Sequence, residues 1–315
     1  MLAIQLGNAG LWWTNVLALA GIYVLLAVSL NLINGHAGMF SLGHHGFWAI
    51  GAYGAAWITN QLARGDHGGA TIYLSSCLFA MFFAAVGGLI VGLPCLRLRG
   101  DYLAVATLGF GEIVRIAIQN SDPETLGGSV GLAIPRVLMR VTPSTKGEFR
   151  LLTVGILSLL CLLVTWGIAN FVRSAPGRRL LAVAQDETAA ALLGIDPTRS
   201  KVLAFVLGSA VAGLAGAAYV HYQSFINPLE FTFMETVKVF LIVVLGGMGS
   251  LSGSVLAALL VTLVDRWLAG LPQGVEQWRQ VLFPLLLAIL ILFRPQGLLG
   301  RREAWELLRP RRSGS

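Results

Sequence analysis

The first charged side chain in this 315-residue sequence is Arg64; nothing before it is Asp, Glu, Lys or Arg. So long a neutral stretch cannot cover a water-facing surface, but it suits hydrocarbon, where side chains must be apolar and backbone groups must bond within their own segment. Composition extends the point to the whole chain. Hydrophobic residues make up 56% and charged residues 12%, with a mean hydropathy of +0.76, against about 25% charged in a soluble domain. The sequence therefore predicts an all-α integral membrane protein rather than a soluble, disordered or collagen-like one. Cys77, Cys95 and Cys161 stand far apart, in or beside apolar runs. A thiol there behaves as a small hydrophobe, so neither a disulfide framework nor thiol chemistry is expected.

A window of about 19 residues marks apolar spans at 11–33, 40–58, 71–93, 102–118, 151–172, 202–220, 231–245, 251–264 and 281–293, the last kinked by Pro284. With short or re-entrant pieces the expectation is a polytopic bundle of eight to ten helices, residues 1–315 forming a single transmembrane domain. The first span lacks the basic n-region of a signal peptide and is longer than an h-region, so it reads as retained. Thirteen of the 22 basic residues fall into three clusters. These are Arg97 and Arg99; Arg173, Arg178, Arg179, Arg199 and Lys201; and Arg294, Arg301, Arg302, Arg309, Arg311 and Arg312. Basic loops stay in the cytoplasm, and an even number of spans separates each cluster from the next, so all three can face it together. The amino terminus then lies outside and the basic tail 294–315 inside. Loop 119–150 lies outside despite Arg136, Arg140, Lys146 and Arg150. Topology explains the net charge of +7 better than nucleic-acid binding does.

Two glycine-rich segments interrupt the apolar pattern. One runs from Asn34 to Gly54, with six glycines among Ser41, His44 and His45; the other holds Gly246, Gly247, Gly249 and Gly253 among Ser250, Ser252 and Ser254. Interrupted helices at corresponding places in two halves point to a transport path, because freed backbone groups are tolerated only where protein or a wet cavity satisfies them. Close helix packing is the alternative. Gly249 and Gly253 stand at GxxxG spacing, and Gly208, Ala212 and Gly216 form a small-residue stripe at the same interval.

Catalytic motifs are missing. There is no GxxxxGK[ST] loop to cradle ATP and no HExxH. The lone GxSxG match, Gly127 to Gly131 around Ser129, sits in a polar loop and reads as a glycine turn, since a nucleophile elbow needs a strand before it and a helix after it. On a helix the adjacent His44 and His45 point apart, while Ser41 and His45 would lie one turn apart on a polar face. No catalytic residue, cofactor or metal is expected. Glu112 with Arg115 and Glu235 with Lys238, both at i,i+3, and Asp265 beside Arg266 put charge within apolar stretches. Opposite charges can meet there as a polar seam, or these helices can skim the interface and leave the groups solvated; both readings stay open.

The loop 173–201, RSAPGRRLLAVAQDETAAALLGIDPTRSK, carries the most information. Asp186 is placed to cap a helix of about two turns, Glu187 to favour its positive end, Gly194 to close it and Pro197 to stop it. Ala189, Ala190, Leu192 and Leu193 give it an apolar side flanked by basic residues. Such a helix suits a docking knob for a soluble partner, and a helix resting on anionic lipid is the competing account.

This loop resembles the coupling loop of ABC importer permeases. The strings GMFSLGHHGFWAIGAYGAA from Gly38, LRLRGDYLAVATLGFGEIVR from Leu96, GGSVGL from Gly127, then AGLAGAAYV, VLGGMGSLSGSVLAALL and FRPQGLLG, in that order, are similar to the branched-chain amino acid permease family, LivM type. Gln185 departs from the pattern, standing where an arginine is expected. The resemblance implies a subunit of the bacterial plasma (inner) membrane with no catalytic site. It would form one half of a heterodimeric pore with a second permease, two cytoplasmic ATPases and an extracytoplasmic binding protein delivering branched-chain or related amino acids. Arg178, Asp186, Glu187, Ala190, Leu193 and Gly194 are the expected coupling residues. Ser41, His44, Phe47, Tyr53 and Gly247 of the glycine-rich segments and Glu112 of the fourth span are the expected path. An ion-gradient-driven transporter or channel would share the hydropathy and is the alternative.

Overall fold

A computed structural model describes residues 2–65, 68–95, 98, 100–135, 146–269, 285, 297–300 and 303. Helix α1 (Leu2–Asn31) runs on into one π-helical turn, Leu32–His36, and after residues 37–43 the chain forms α2 (His44–Leu62), α3 (Gly69–Cys95) and α4 (Asp101–Gln119). A short α5 (Pro123–Leu126) and strand β1 (Leu132–Ala133) precede α6 (Lys146–Arg173). Helices α7 (Ala175–Gln185) and α8 (Glu187–Leu192) lead into α9 (Pro197–Gln223). Strand β2 (Phe225–Ile226) pairs antiparallel with β1, and a 3-10 turn, Pro228–Glu230, leads to α10 (Phe233–Gly246) and α11 (Leu251–Leu268).

Five segments, Trp12–His36, Gly69–Cys95, Leu152–Arg173, Pro197–Gln223 and Leu251–Leu268, are long and apolar enough to cross a membrane. Helices α2, α4 and α10 pack among them, so eight of the nine expected spans have a helix. The ninth, 281–293, lies outside the described residues except for Leu285, and Arg97, Arg99, Arg136, Arg140 and every basic residue of the tail lie outside them too. Helix α1 is the central pillar: in its span 83% of residues are buried, against 17% for α6. Both are apolar all round for different reasons. Protein surrounds α1, whereas α6 presents Leu159, Leu162, Leu163 and Trp166 outward.

Helices α3 and α9 run antiparallel, since Ser76 meets His221 at 2.7 Å near one end and Gly88 abuts Ser209 toward the other. The end of α3, the α7–α8 pair and the start of α9 thus share one end of the bundle. Residues 297–300 join them through the Leu298 N–H to Leu245 carbonyl bond of 2.7 Å. The three expected basic clusters border these segments, so they can lie at one end as the charge pattern requires. The β1–β2 pair sits at the other.

Small residues set the α2–α9 crossing. A Cβ on Gly216 would lie 2.5 Å from the Trp48 carbonyl oxygen, and one on Gly51 would lie 2.3 Å from Gly213 Cα. The Gly208, Ala212, Gly216 stripe is therefore a packing device. The Gly249–Gly253 pair is not: Gly249 lies before α11 with φ +90°, and Gly253 packs on Gly246 instead.

The expected span at 40–58 also starts late. Gly38 has φ +65°, Ser41 N–H donates to Asn34 Oδ1 at 3.2 Å and Asn34 Nδ2 donates to the Ser41 carbonyl at 3.3 Å, which holds residues 37–43 out of the helix. Ser41 is consequently not one helical turn from His45.

Candidate coupling surface and transport path

The bundle end that carries α7 and α8 is built by helix caps. Ser174 caps α7, whose Leu180 and Val183 turn inward at 1% and 3% exposure. Helix α7 was not expected from the sequence, although its amphipathic spacing was there to be read. Arg178 reaches back from it to the Arg173 carbonyl at 2.6 Å. Asp186 then breaks the chain direction with extended backbone, and its Oδ1 accepts from Thr188 N at 2.8 Å and Ala189 N at 2.9 Å. Gly194, with φ +78°, closes α8, and the Ile195 N–H returns to the Ala190 carbonyl at 3.1 Å, a Schellman closure. Pro197 does more than stop α8: with Asp196 as cap it opens α9.

The six expected coupling residues thus fall on one rigid device, with distinct parts. Glu187 Oε2 meets Lys201 Nζ at 2.7 Å and ties α8 to α9. Ala190 is 2% exposed and anchors the helix, so it is not part of the outward apolar face. Leu193, at 80%, and Leu192, at 85%, stand out into solvent. Among the described residues nothing covers these two adjacent leucines, which leaves an apolar pair exposed on a doubly capped helix.

Behind α7 lies a cleft of about 670 Å³. The π-helical turn, residues 38–40, the ends of α6 and α7, the α10–α11 connection and Glu303 surround it. Gly38 rests on Ala184, so the broken end of α1 touches α7 directly. Across the cleft Asn31 clasps the α10–α11 connection. Its Nδ2 donates to the Ser250 carbonyl and to Ser254 Oγ, each at 2.8 Å, and its Oδ1 accepts from Gly249 N at 2.8 Å. Glu303 accepts from Leu251 N at 2.9 Å and Ser252 N at 3.0 Å, placing a carboxylate at the positive end of α11. Asn31 and Glu303 were not singled out from the sequence, since their partners are more than 200 and about 50 residues away.

None of the six expected path residues lines the cleft behind α7. Ser41, His44 and Phe47 are buried, with His44 Nε2 and Ser29 Oγ sharing a 2.8 Å hydrogen bond and Phe47 set between Phe110 and Phe205. Tyr53 packs on Phe231 and borders a separate apolar groove. Gly247, φ +108°, lies in the α10–α11 connection against Gly300. Only the Glu112 side chain reaches the bundle surface, 28% exposed, on α4. It binds Arg115 Nε at 2.8 Å and faces His45 Nε2 at 3.6 Å, while His45 Nδ1 and Thr236 Oγ1 share a 2.9 Å bond. Of the two open readings for Glu235 and Lys238, the polar seam is the one seen, and it is wider than the i,i+3 pair. Lys238 reaches Asp265 at 3.2 Å and Tyr23 OH at 3.0 Å, and Tyr23 donates to Glu235 at 2.9 Å, because α1 and α11 offer partners that α10 alone does not.

Comparison with known proteins gives this architecture a family. A family model described as a branched-chain amino acid transport system permease component matches residues 13–292. The high-affinity branched-chain amino acid transport system permease protein LivM of Escherichia coli is 36% identical over 310 residues, covering 90% of this chain and 69% of that protein. LivM of Salmonella typhimurium is 37% identical over 303 residues, covering 88% and 68%. The related permease protein LivH of Escherichia coli is 28% identical over 295 residues, covering 92% and 94%. The chain belongs to this permease family.

As a member of that family it is a permease component of an ABC transport system, a multi-pass protein of the plasma membrane and a non-catalytic one. Likeness to both LivM and LivH marks it as one of a permease pair. The Gly127 to Gly131 turn fits that character. Gly127, Gly128 and Gly131 all take positive φ, and the segment lies between α5 and a two-residue strand rather than between a buried strand and a helix.

Proposed function

We propose that this permease carries branched-chain or related amino acids inward across the plasma membrane, residues 1–315 acting as one transmembrane permease domain. It works as half of a heterodimer with two cytoplasmic ATPases, one of them docked on α8, and an extracytoplasmic binding protein delivering substrate at the β1–β2 end. The exposed Leu192–Leu193 pair carries this reading. Seated in an ATPase groove, these side chains bury apolar surface worth about 1.5–3 kcal/mol each, and the Asp186 cap, the Gly194 closure and the Glu187–Lys201 tie keep α8 from yielding when pulled. Motion of α8 passes to α7. From there Gly38 against Ala184, and the Asn31 clasp, offer routes to the α1 break and the α10–α11 connection.

The path is supported at Glu112. An ionised pair partly exposed on a membrane helix must face water or another subunit, and α4 carries such a pair, Glu112 with Arg115, beside its outward apolar side chains. We therefore place the pore along α4 at the permease–permease boundary, with Glu112, Arg115 and His45 as its polar edge. His44, Phe47 and Ser41 back that edge, Tyr53 stands above it and Gly247 below. Reconstituted vesicles holding the complex test the proposal: uptake of leucine should require ATP and the binding protein. Uptake by this chain alone on an ion gradient would overturn it.

A further inference from the structure

A second shaped surface lies between α2, α3 and α4, toward the β1–β2 end. A groove of about 620 Å³ runs there, walled by Ile50, Tyr53, Trp57, Phe79, Phe83 and Val114. It adjoins, through the shared Trp57 and Thr125, a polar cup of about 290 Å³ completed by Asn60, Gln61, Arg64 and Glu124. Trp57 stacks on Phe79 at 5.8 Å where the two meet, the place an indole takes at the boundary of hydrocarbon and headgroups. Arg64 and Glu124 are both exposed and line the one cup, and neither has an ion-pair partner among the described residues.

A molecule that suits both parts has a long apolar tail, an anionic group for Arg64 and, beside it, a cationic group for Glu124. We propose that the groove and cup bind a zwitterionic phospholipid of the phosphatidylethanolamine type. Its phosphate lies on Arg64, its ammonium on Glu124 and one acyl chain along the α2–α3–α4 groove. The cup's charge pattern favours lipid over a helix of a second permease, whose apolar flank would leave both cup charges without a partner. Phosphatidylglycerol has the phosphate but nothing for Glu124.

Native mass spectrometry of the permease complex, released from phosphatidylethanolamine or phosphatidylglycerol nanodiscs, tests this. The phosphatidylethanolamine adduct should be the one retained. Losing one charged contact, by Arg64→Ala or Glu124→Ala, should cut retention about tenfold, and Ala117→Trp, which fills the groove, should abolish it. Equal retention of the two lipids, or of one lipid across all variants, would overturn the proposal. A benzophenone side chain at Phe83, which is 43% exposed, gives an independent reading without touching the cup. Photolabel on lipid upholds the site, and label on a second permease chain overturns it.

Discussion

Asn31 and Gly249 are joined by a 2.8 Å hydrogen bond across 218 residues of sequence, and the same asparagine side chain donates to Ser250 and Ser254. One amide thereby satisfies a connection between two membrane helices that has no regular structure to satisfy it. Asn31→Leu should strip the Gly249 N–H of its acceptor, at about 1–3 kcal/mol, while the Ser250 carbonyl keeps the Ser254 N–H and hydroxyl. The expected outcome is a lower melting temperature in detergent and loss of uptake. A variant that melts and transports like the parent would show that the clasp carries neither stability nor motion.

Leu193→Asp should behave in the opposite way. Leu193 touches solvent, so melting should not change, whereas stimulation of the partner ATPases should fall about tenfold or more if a central contact residue is lost. Glu187→Lys should lower the same activity by setting two ammonium groups against each other at Lys201. Full stimulation in both variants would remove α8 as the dock.

Lys238 and Asp265 are 15% and 8% exposed and lie 3.2 Å apart. Replacing Lys238 alone by Met takes a charged partner from the buried carboxylate and should cost up to about 3–5 kcal/mol, while Lys238→Met with Asp265→Leu should recover part of it. Thermal unfolding of the three proteins distinguishes this from a merely additive loss.

At the α2–α9 crossing Gly216→Leu should abolish accumulation of folded protein, since its first side-chain atom already collides with the Trp48 backbone. Gly109→Ala, on α4, meets nothing within 4 Å and should be neutral. Membrane-fraction blots of the two variants decide the point.

Burial lifts the Glu230 carboxyl above its ordinary value of 4.5, with Glu235 adding to the push and the Tyr219 hydrogen bond opposing it. A raised folded-state value means that this group favours the fold while protonated. Its contribution is whole below the ordinary value and fades as pH climbs through the raised one. Melting curves taken from pH 4.5 upward should therefore decline less steeply in Glu230→Gln than in the parent; parallel curves would contradict it.

What could be read in advance divides by range. Hydropathy located eight helices because a bilayer imposes its demand on each segment separately, and Asp186 and Gly194 announced α8 because caps act over a few residues. Lys238 is legible as a charge needing a partner or water, but sequence spacing offers only Glu235 on its own helix and cannot show that Asp265 of α11 comes within reach. Ser41 follows the same rule: its backbone bonds to Asn34 turn the chain before the helix begins, which spacing along the sequence does not show. Asn31 and Glu303 carried no local mark at all. Each is an ordinary polar residue until the fold brings a helix end to it.

The contrast between α1 and α6 bears on natural variation. Where an outward side chain of α6 meets acyl chains, which reshape around whatever they touch, leucine, valine, phenylalanine and methionine should trade places at little cost over evolutionary time. The core of α1 is held by neighbours that cannot reshape. Two helices of nearly equal greasiness should therefore drift at very different speeds, and the pillar should stay readable in distant relatives after the strut has become a featureless apolar string.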